Sequence, residues 1–158
     1  MASFISSARW ARTLGAMVTL TATLVSLVFV VLALWHFVMA LATTSGESLA
    51  VPSVNGKSLF VPSRKVTFAV GAVLLLFAGL VAATAGIVSV GLPSVALSWL
   101  SYALALGLLA RAIGEFKYVG FFKRVHGTKF SKLDSLVYSP LCLLLALGVA
   151  LVALQHGT

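Results

Sequence analysis

Residues 66–90 contain no charged side chain, and that run constrains this chain more than any other feature. As an α-helix rising about 1.5 Å per residue, such a segment reaches across the roughly 30 Å hydrocarbon layer of a bilayer. Three more apolar runs accompany it, at residues 14–42, 95–113 and 136–154. Their main polar interruptions are hydroxyl groups, His36 and, near the end of the third run, Arg111. Composition agrees: hydrophobic residues make up 61% of the chain, charged residues only 9%, and the mean hydropathy is +1.13. A water-soluble domain is about half apolar and a quarter charged, so this chain has too little charge to cover an aqueous surface. Its solvent is lipid.

The expected fold is therefore all-α, an integral membrane bundle of four transmembrane helices forming one domain over residues 1–158. Two long polar loops, 43–65 and 114–135, alternate with a tight turn at Gly91-Leu92-Pro93-Ser94. Pro52, Asn55-Gly56 and Pro62 make the first loop a region of turns. Arg9 and Arg12 ahead of the first run, and Ala40-Leu41-Ala42 at its end, have the look of a signal peptide. Signal cores run only about 7–15 apolar residues, however, and this run is much longer, so a spanning helix is expected. Pro140 falls near the start of the fourth run, where proline is best tolerated.

In lipid, small residues mark the faces where helices meet. Ala78, Ala82 and Gly86 form such a stripe in the second run. Ala103 and Gly107 form one in the third, and Ala22, Ser26, Ala33, His36 and Ala40 form one in the first. His36 and Arg111 are accordingly expected to face the bundle interior.

The net charge of +8 is spread between the apolar runs and does not form a soluble basic face, which argues against nucleic acid as a partner. Four crossings put both termini at one end and both long loops at the other. The loop end carries Lys57, Arg64, Lys65, Arg111, Lys117, Lys123, Arg124, Lys129 and Lys132, against Arg9 and Arg12 at the terminal end. The positive-inside rule then predicts cytoplasmic loops and external termini.

Cys142 is the only cysteine, so neither a disulfide nor a cysteine metal site forms within one chain. No zinc-protease, Walker or dinucleotide fingerprint is present, and no metal or cofactor is expected. No acid lies deep in a helix, which disfavours a proton-coupled exporter.

What ionisable chemistry there is gathers at the loop end. His36 sits in Trp35-His36-Phe37, about two turns inside the boundary. Either it carries protons or binds a ligand, or it is a neutral imidazole bonded within the bundle. Arg111 and Glu115 are spaced to pair on one helix, and a half-buried guanidinium suits a phosphate or carboxylate. Asp134 or Ser135 is placed to cap the fourth helix; alternatively, Asp134 or Glu115 partners His36 in acid–base work. Tyr138 joins Arg111 and His36 as a ligand-binding candidate. Phe116, Lys117, Tyr118, Phe121, Phe122, Lys123 and Arg124 interleave aromatic and basic residues, the pattern of a segment at the membrane surface. His126 and His156 are expected in solvent.

Residues 111–143 carry a further resemblance. The Gly-aromatic-basic stretch Gly120, Phe121, Phe122, Lys123, Thr128, Phe130, Asp134 leads into Tyr138-Ser139-Pro140-Leu141. With the histidine-aromatic element at Trp35-His36-Phe37, this resembles a family of small bacterial membrane proteins known as domain of unknown function 3995. The resemblance implies a four-helix fold and a bacterial cytoplasmic membrane, and it implies no reaction.

The leading functional expectation is a membrane protein that binds a lipid-like or amphipathic small molecule, or a partner membrane protein, at one polar mouth. A second is a membrane enzyme of isomerase or cyclase type, with His36, Glu115 and Asp134 moving protons. A third is an auxiliary subunit of a larger membrane complex.

Overall fold

A computed structural model describes residues 2–42, 53–54, 57–58, 63–114, 119–124 and 128–156. Five α-helices order the chain: α1 (Ala2–Leu41), α2 (Arg64–Thr84), α3 (Ser94–Ile113), the short α4 (Lys129–Leu133) and α5 (Ser139–His156). A π-helical turn, Asp134–Tyr138, joins α4 to α5 without a break. In the first long loop Ser53–Val54 (β1) pairs antiparallel with Lys57–Ser58 (β2), and Asn55-Gly56 lies between them in sequence. Four segments are long and apolar enough to cross a membrane: Arg12–Leu41, Arg64–Thr84, Ser94–Ile113 and Phe130–His156. Apart from that two-residue pairing, the all-α architecture with four membrane-spanning helices expected from the sequence is what is observed.

The helix limits differ from the apolar runs for identifiable reasons. α1 begins at Ala2, well before the apolar run, because no proline or glycine precedes Gly15 to stop it. At 40 residues it is about 60 Å long, roughly twice a bilayer's hydrocarbon depth. α2 stops at Thr84 although apolar residues continue to Val90. Gly86 takes a positive φ of 71°, its N–H bonds to the Ala83 carbonyl, and the Ile87 N–H bonds to the Ala82 carbonyl. These two bonds close a Schellman cap. Gly86 is therefore exposed at a helix end and does not extend the contact stripe of Ala78 and Ala82.

α1 and α2 run antiparallel. Phe37 meets Phe68 with ring centroids 4.7 Å apart, and two to three turns further along Ser26 Oγ donates to the Ala78 carbonyl at 3.1 Å. α2 and α3 are joined beyond Gly86, where Thr84 Oγ1 and Ser101 Oγ share a buried hydrogen bond of 2.8 Å. α3 packs along α5, and Gly148 of α5 lies against Val25 and Thr21 of α1. The core formed between them includes Ala22, Val25 and Phe29 of α1, Val81 of α2, Leu104 of α3 and Val149 of α5. Phe77 crosses Phe29 edge-to-face at 5.8 Å.

On α1 the small-residue face turns inward: Ala22, Ala33 and Ala40 are buried, with Ser26 and His36 half-buried. On α3 the expectation fails, because Ala103 and Gly107 are exposed and the inner face is Leu97, Ser101, Leu104, Ala105 and Ala112. Ala103 follows Ser101 by about 200° around the helix, so the Ser101–Thr84 bond turns it outward. Thr19, Thr21 and Thr23 satisfy their hydroxyls locally, each donating to the carbonyl four residues back.

Antiparallel packing leaves the C-termini of α1 and α3, the N-terminus of α2 and the π-turn at one end of the bundle. This is the loop end.

Candidate functional site

The site begins where α3 terminates. Gly114 leaves the helix with φ 87° and ψ −179°, and the chain returns so that the Phe121 N–H donates to the Ala112 carbonyl at 2.9 Å. Gly120, at φ 94°, sits directly on Gly114. A Cβ at Gly114 would collide with the Val119 carbonyl oxygen, and one at Gly120 with that of Ile113. Both positions combine the left-handed region with backbone contact, which leaves glycine as the fitting residue.

That crossing carries the backbone to Asp134. This carboxylate is fully buried: Oδ1 accepts from Arg111 Nη2 at 3.0 Å, while Oδ2 accepts from Lys123 Nζ at 2.9 Å and from the Gly120 N–H at 2.7 Å. Lys123 is equally buried, and its ammonium also donates to the Gly120 carbonyl at 3.0 Å and to Ser135 Oγ at 2.7 Å. An ammonium has three protons, and each has an acceptor here. A lone charge in such a setting costs several kcal/mol to desolvate, roughly, and saturation of this kind is what makes burial tolerable.

The π-turn holds Asp134 in place. The Ser139 N–H bonds to the Asp134 carbonyl five residues back instead of four. Pro140 explains the wide turn, since its ring would clash with the carbonyl of residue 136 in a regular helix and it has no N–H to donate. Upstream, the Thr128 side chain accepts the Ser131 N–H and caps α4.

Several expectations change accordingly. Neither Asp134 nor Ser135 caps the fourth helix, because helix already begins at Lys129 and Thr128 does the capping. Lys123 is not an exposed side chain; the crossing of Gly114 and Gly120 folds it inward onto Asp134. Arg111 pairs with Asp134, on the neighbouring helical segment. Glu115, Phe116, Lys117, Tyr118 and His126 lie outside the described residues.

His36 is half-buried on α1, and its Nδ1 lies 2.7 Å from the Leu32 carbonyl of its own helix. Since a carbonyl only accepts, Nδ1 carries the proton. Asp134 is bonded to Arg111, Lys123 and Gly120, and His36 is not among its hydrogen-bond partners. Tyr138 sits beside Phe130, with ring centroids 6.2 Å apart. Phe121, Phe122 and Arg124 are exposed, Phe122 to 64%. His156 is half-buried, and its Nε2 is enclosed.

Of the two cations on Asp134, one is left incompletely bonded. The Arg111 side chain is 37% exposed, but its Nη1 is buried without a hydrogen-bond partner, as is Ser139 Oγ. Two cations against one carboxylate leave the cluster with one unit of positive charge. Arg111, with a spare donor and an exposed edge, is where it can act. Reasoning from helical spacing missed the roles of Gly114, Gly120, Lys123 and Ser135, because three of their links join positions eleven or more apart in the chain. The pattern that could have pointed to them is the Gly-aromatic-basic stretch ending in aspartate, since its Gly120, Lys123 and Asp134 are the residues that meet.

Comparison with known proteins gives one match: a family described as Protein of unknown function (DUF3995), over residues 29–149. No curated protein matches, and no solved structure matches.

Proposed function

This chain belongs to the DUF3995 family, a family of unknown function, and from that premise we propose that it binds an anionic, lipid-like molecule at the loop end of its membrane bundle. The observation that carries this reading is the unequal bonding of the two cations on Asp134. Lys123 is saturated and buried, whereas Arg111 keeps an unpaired Nη1 and a partly exposed side chain. A guanidinium of that kind in a low-dielectric setting attracts an anionic group. Exposed Phe121, Phe122 and Arg124 on the same connection suit the headgroup layer, where aromatic rings anchor and basic side chains meet lipid phosphates. A lipid presents its acyl chains to the apolar helices and its polar group to Arg111.

We take the membrane to be a bacterial cytoplasmic one, with loops 43–65 and 114–135 on the cytoplasmic side and the termini outside. The excess of Lys and Arg at that end supports the orientation. Acid–base catalysis is the weaker reading, because Asp134 is committed to three donors and His36 Nδ1 to its own helix.

The test is native mass spectrometry of the protein after gentle detergent extraction. Retained anionic lipid should fall about tenfold in Arg111→Ala, the loss expected for one charge-assisted hydrogen bond. Retention of bulk lipid in membrane proportions, unchanged by the substitution, would defeat the proposal. A stoichiometric larger membrane protein in its place would favour an auxiliary subunit.

A further inference from the structure

α1 turns an ordered apolar stripe away from the rest of the bundle. Leu20, Leu27, Leu34 and Leu41 recur at every seventh position, and Met17, Leu24, Val31 and Val38 stand three residues before each of them. All of these side chains are more than half exposed, on the face opposite buried Ala22, Phe29 and Ala33. In heptad terms leucine fills every d position, and Met, Leu, Val and Val fill the a positions. Valine at a with leucine at d favours two parallel strands packed knobs-into-holes. α2, α3 and α5, with 21, 20 and 18 residues, are shorter than the stretch from Met17 to Leu41 that carries this pattern. Hydrocarbon asks only that a lipid-facing surface be apolar; it does not ask for leucine at every seventh place.

The length of α1 points the same way. Ser26 meets Ala78, so antiparallel α2, which stops at Thr84, ends near the level of Leu20. From there α1 continues back to Ala2. Its apolar run, residues 14–41, is about 42 Å long against roughly 30 Å of hydrocarbon. Such an excess is met by tilt or by association with another helix, and α1 of a second copy has the same length and the same overhang. Copies inserted alike in one membrane hold their α1 helices parallel, and a two-fold axis along the bilayer normal sets the stripe against itself. The stripe exposes roughly 800 Å² on each copy, the area that a stable interface takes from each partner. We infer that this protein forms a parallel dimer through α1, with Leu20, Leu27, Leu34 and Leu41 meeting their counterparts along a left-handed coiled coil. The seam uses no residue of the loop-end ion cluster, so it stands apart from the lipid-binding reading.

The full chain, with Cys142→Ala as background, would be reconstituted in phosphatidylcholine vesicles carrying Leu27→Cys, Leu34→Cys or, on the exposed face of α5, Leu144→Cys. Oxidation should link the Leu27→Cys and Leu34→Cys chains into a species of twice the 16.5 kDa chain mass and leave Leu144→Cys unlinked. Single-molecule photobleaching of the parent should proceed in two steps. Leu27→Ala combined with Leu34→Ala should weaken association at least tenfold, by roughly the packing that two truncated leucines lose. Both side chains face outward in the monomer, so melting in dilute detergent should not change, and the cross-linking pattern is read independently of that variant. One-step bleaching at every protein-to-lipid ratio would overturn the dimer. Equal linkage from Leu144→Cys would indicate chance collision or another face, and would overturn the α1 seam. Products of three or more chains would overturn its two-stranded form. In native membranes, linkage of Leu27→Cys to a chain of different mass, without the doubled species, would assign the seam to another protein and overturn self-pairing.

Discussion

The two ends of this bundle deal with polarity in opposite ways. At the α2–α3 end, Thr84 and Ser101 bury two neutral hydroxyls and join them by one hydrogen bond, and the chain turns at Gly86. At the loop end, Asp134 and Lys123 bury full charges beside a half-buried Arg111, and the backbone is bent into a glycine crossing and a π-turn to supply further partners. The difference follows from solvation. A hydroxyl needs one partner in a low-dielectric interior, whereas an ammonium or carboxylate needs all of its protons or lone pairs engaged. The uncharged end closes with a local turn; the charged end takes more than twenty residues of chain, from Arg111 to Asp134, to assemble.

This contrast is sharpest when one charge is removed. Asp134→Ala strands two cations and should cost about 3–5 kcal/mol, seen as a lower midpoint in denaturation of the detergent-solubilised protein. Replacing Asp134 and Lys123 together by leucine and methionine should cost less than the sum of the single changes, because neither charge is then left alone. An additive result would show that the two do not act as a unit.

Next in size is the crossing. Gly120→Val places a side chain against the Ile113 carbonyl in a left-handed conformation, and should cost on the order of 1–3 kcal/mol or more. Limited proteolysis should then cut the α3–α4 connection faster than in the parent. Equal rates would mean the crossing does not hold that connection.

Arg111→Ala comes third. Asp134 keeps Lys123 and the Gly120 N–H, so the stability loss should be about 1.5–3 kcal/mol at most, below that of Asp134→Ala. A loss as large as that of Asp134→Ala would mean that Arg111 is mainly structural. The smallest effect belongs to the other end: Thr84→Val should cost about 0.6 kcal/mol, the mean for a hydrogen bond between membrane helices. A loss of several kcal/mol there would erase the distinction between the two ends.

Much of the fold was legible in the sequence because hydrocarbon is an unforgiving solvent. Charge-free runs of sufficient length have few alternatives to spanning helices, and the inward face of α1 followed from Ala22, Ala33 and Ala40. The rotation of α3 was not legible, since both of its faces carry small or apolar residues, and the packing along α5 together with the bond from Ser101 to Thr84 chooses between them. Glycines at 114 and 120 read as loop residues until their contact is seen.

The sequence by itself determined the solvent, the number of crossings and the end at which ionisable groups collect, because these depend on sums over many residues. Tertiary structure alone decided which charges meet. Asp134 lies 23 positions from Arg111 and 11 from Lys123 in the chain, and helical periodicity does not reach across such separations. The path of the loop brings them together, and the cost of leaving a charge unpaired in lipid holds them there.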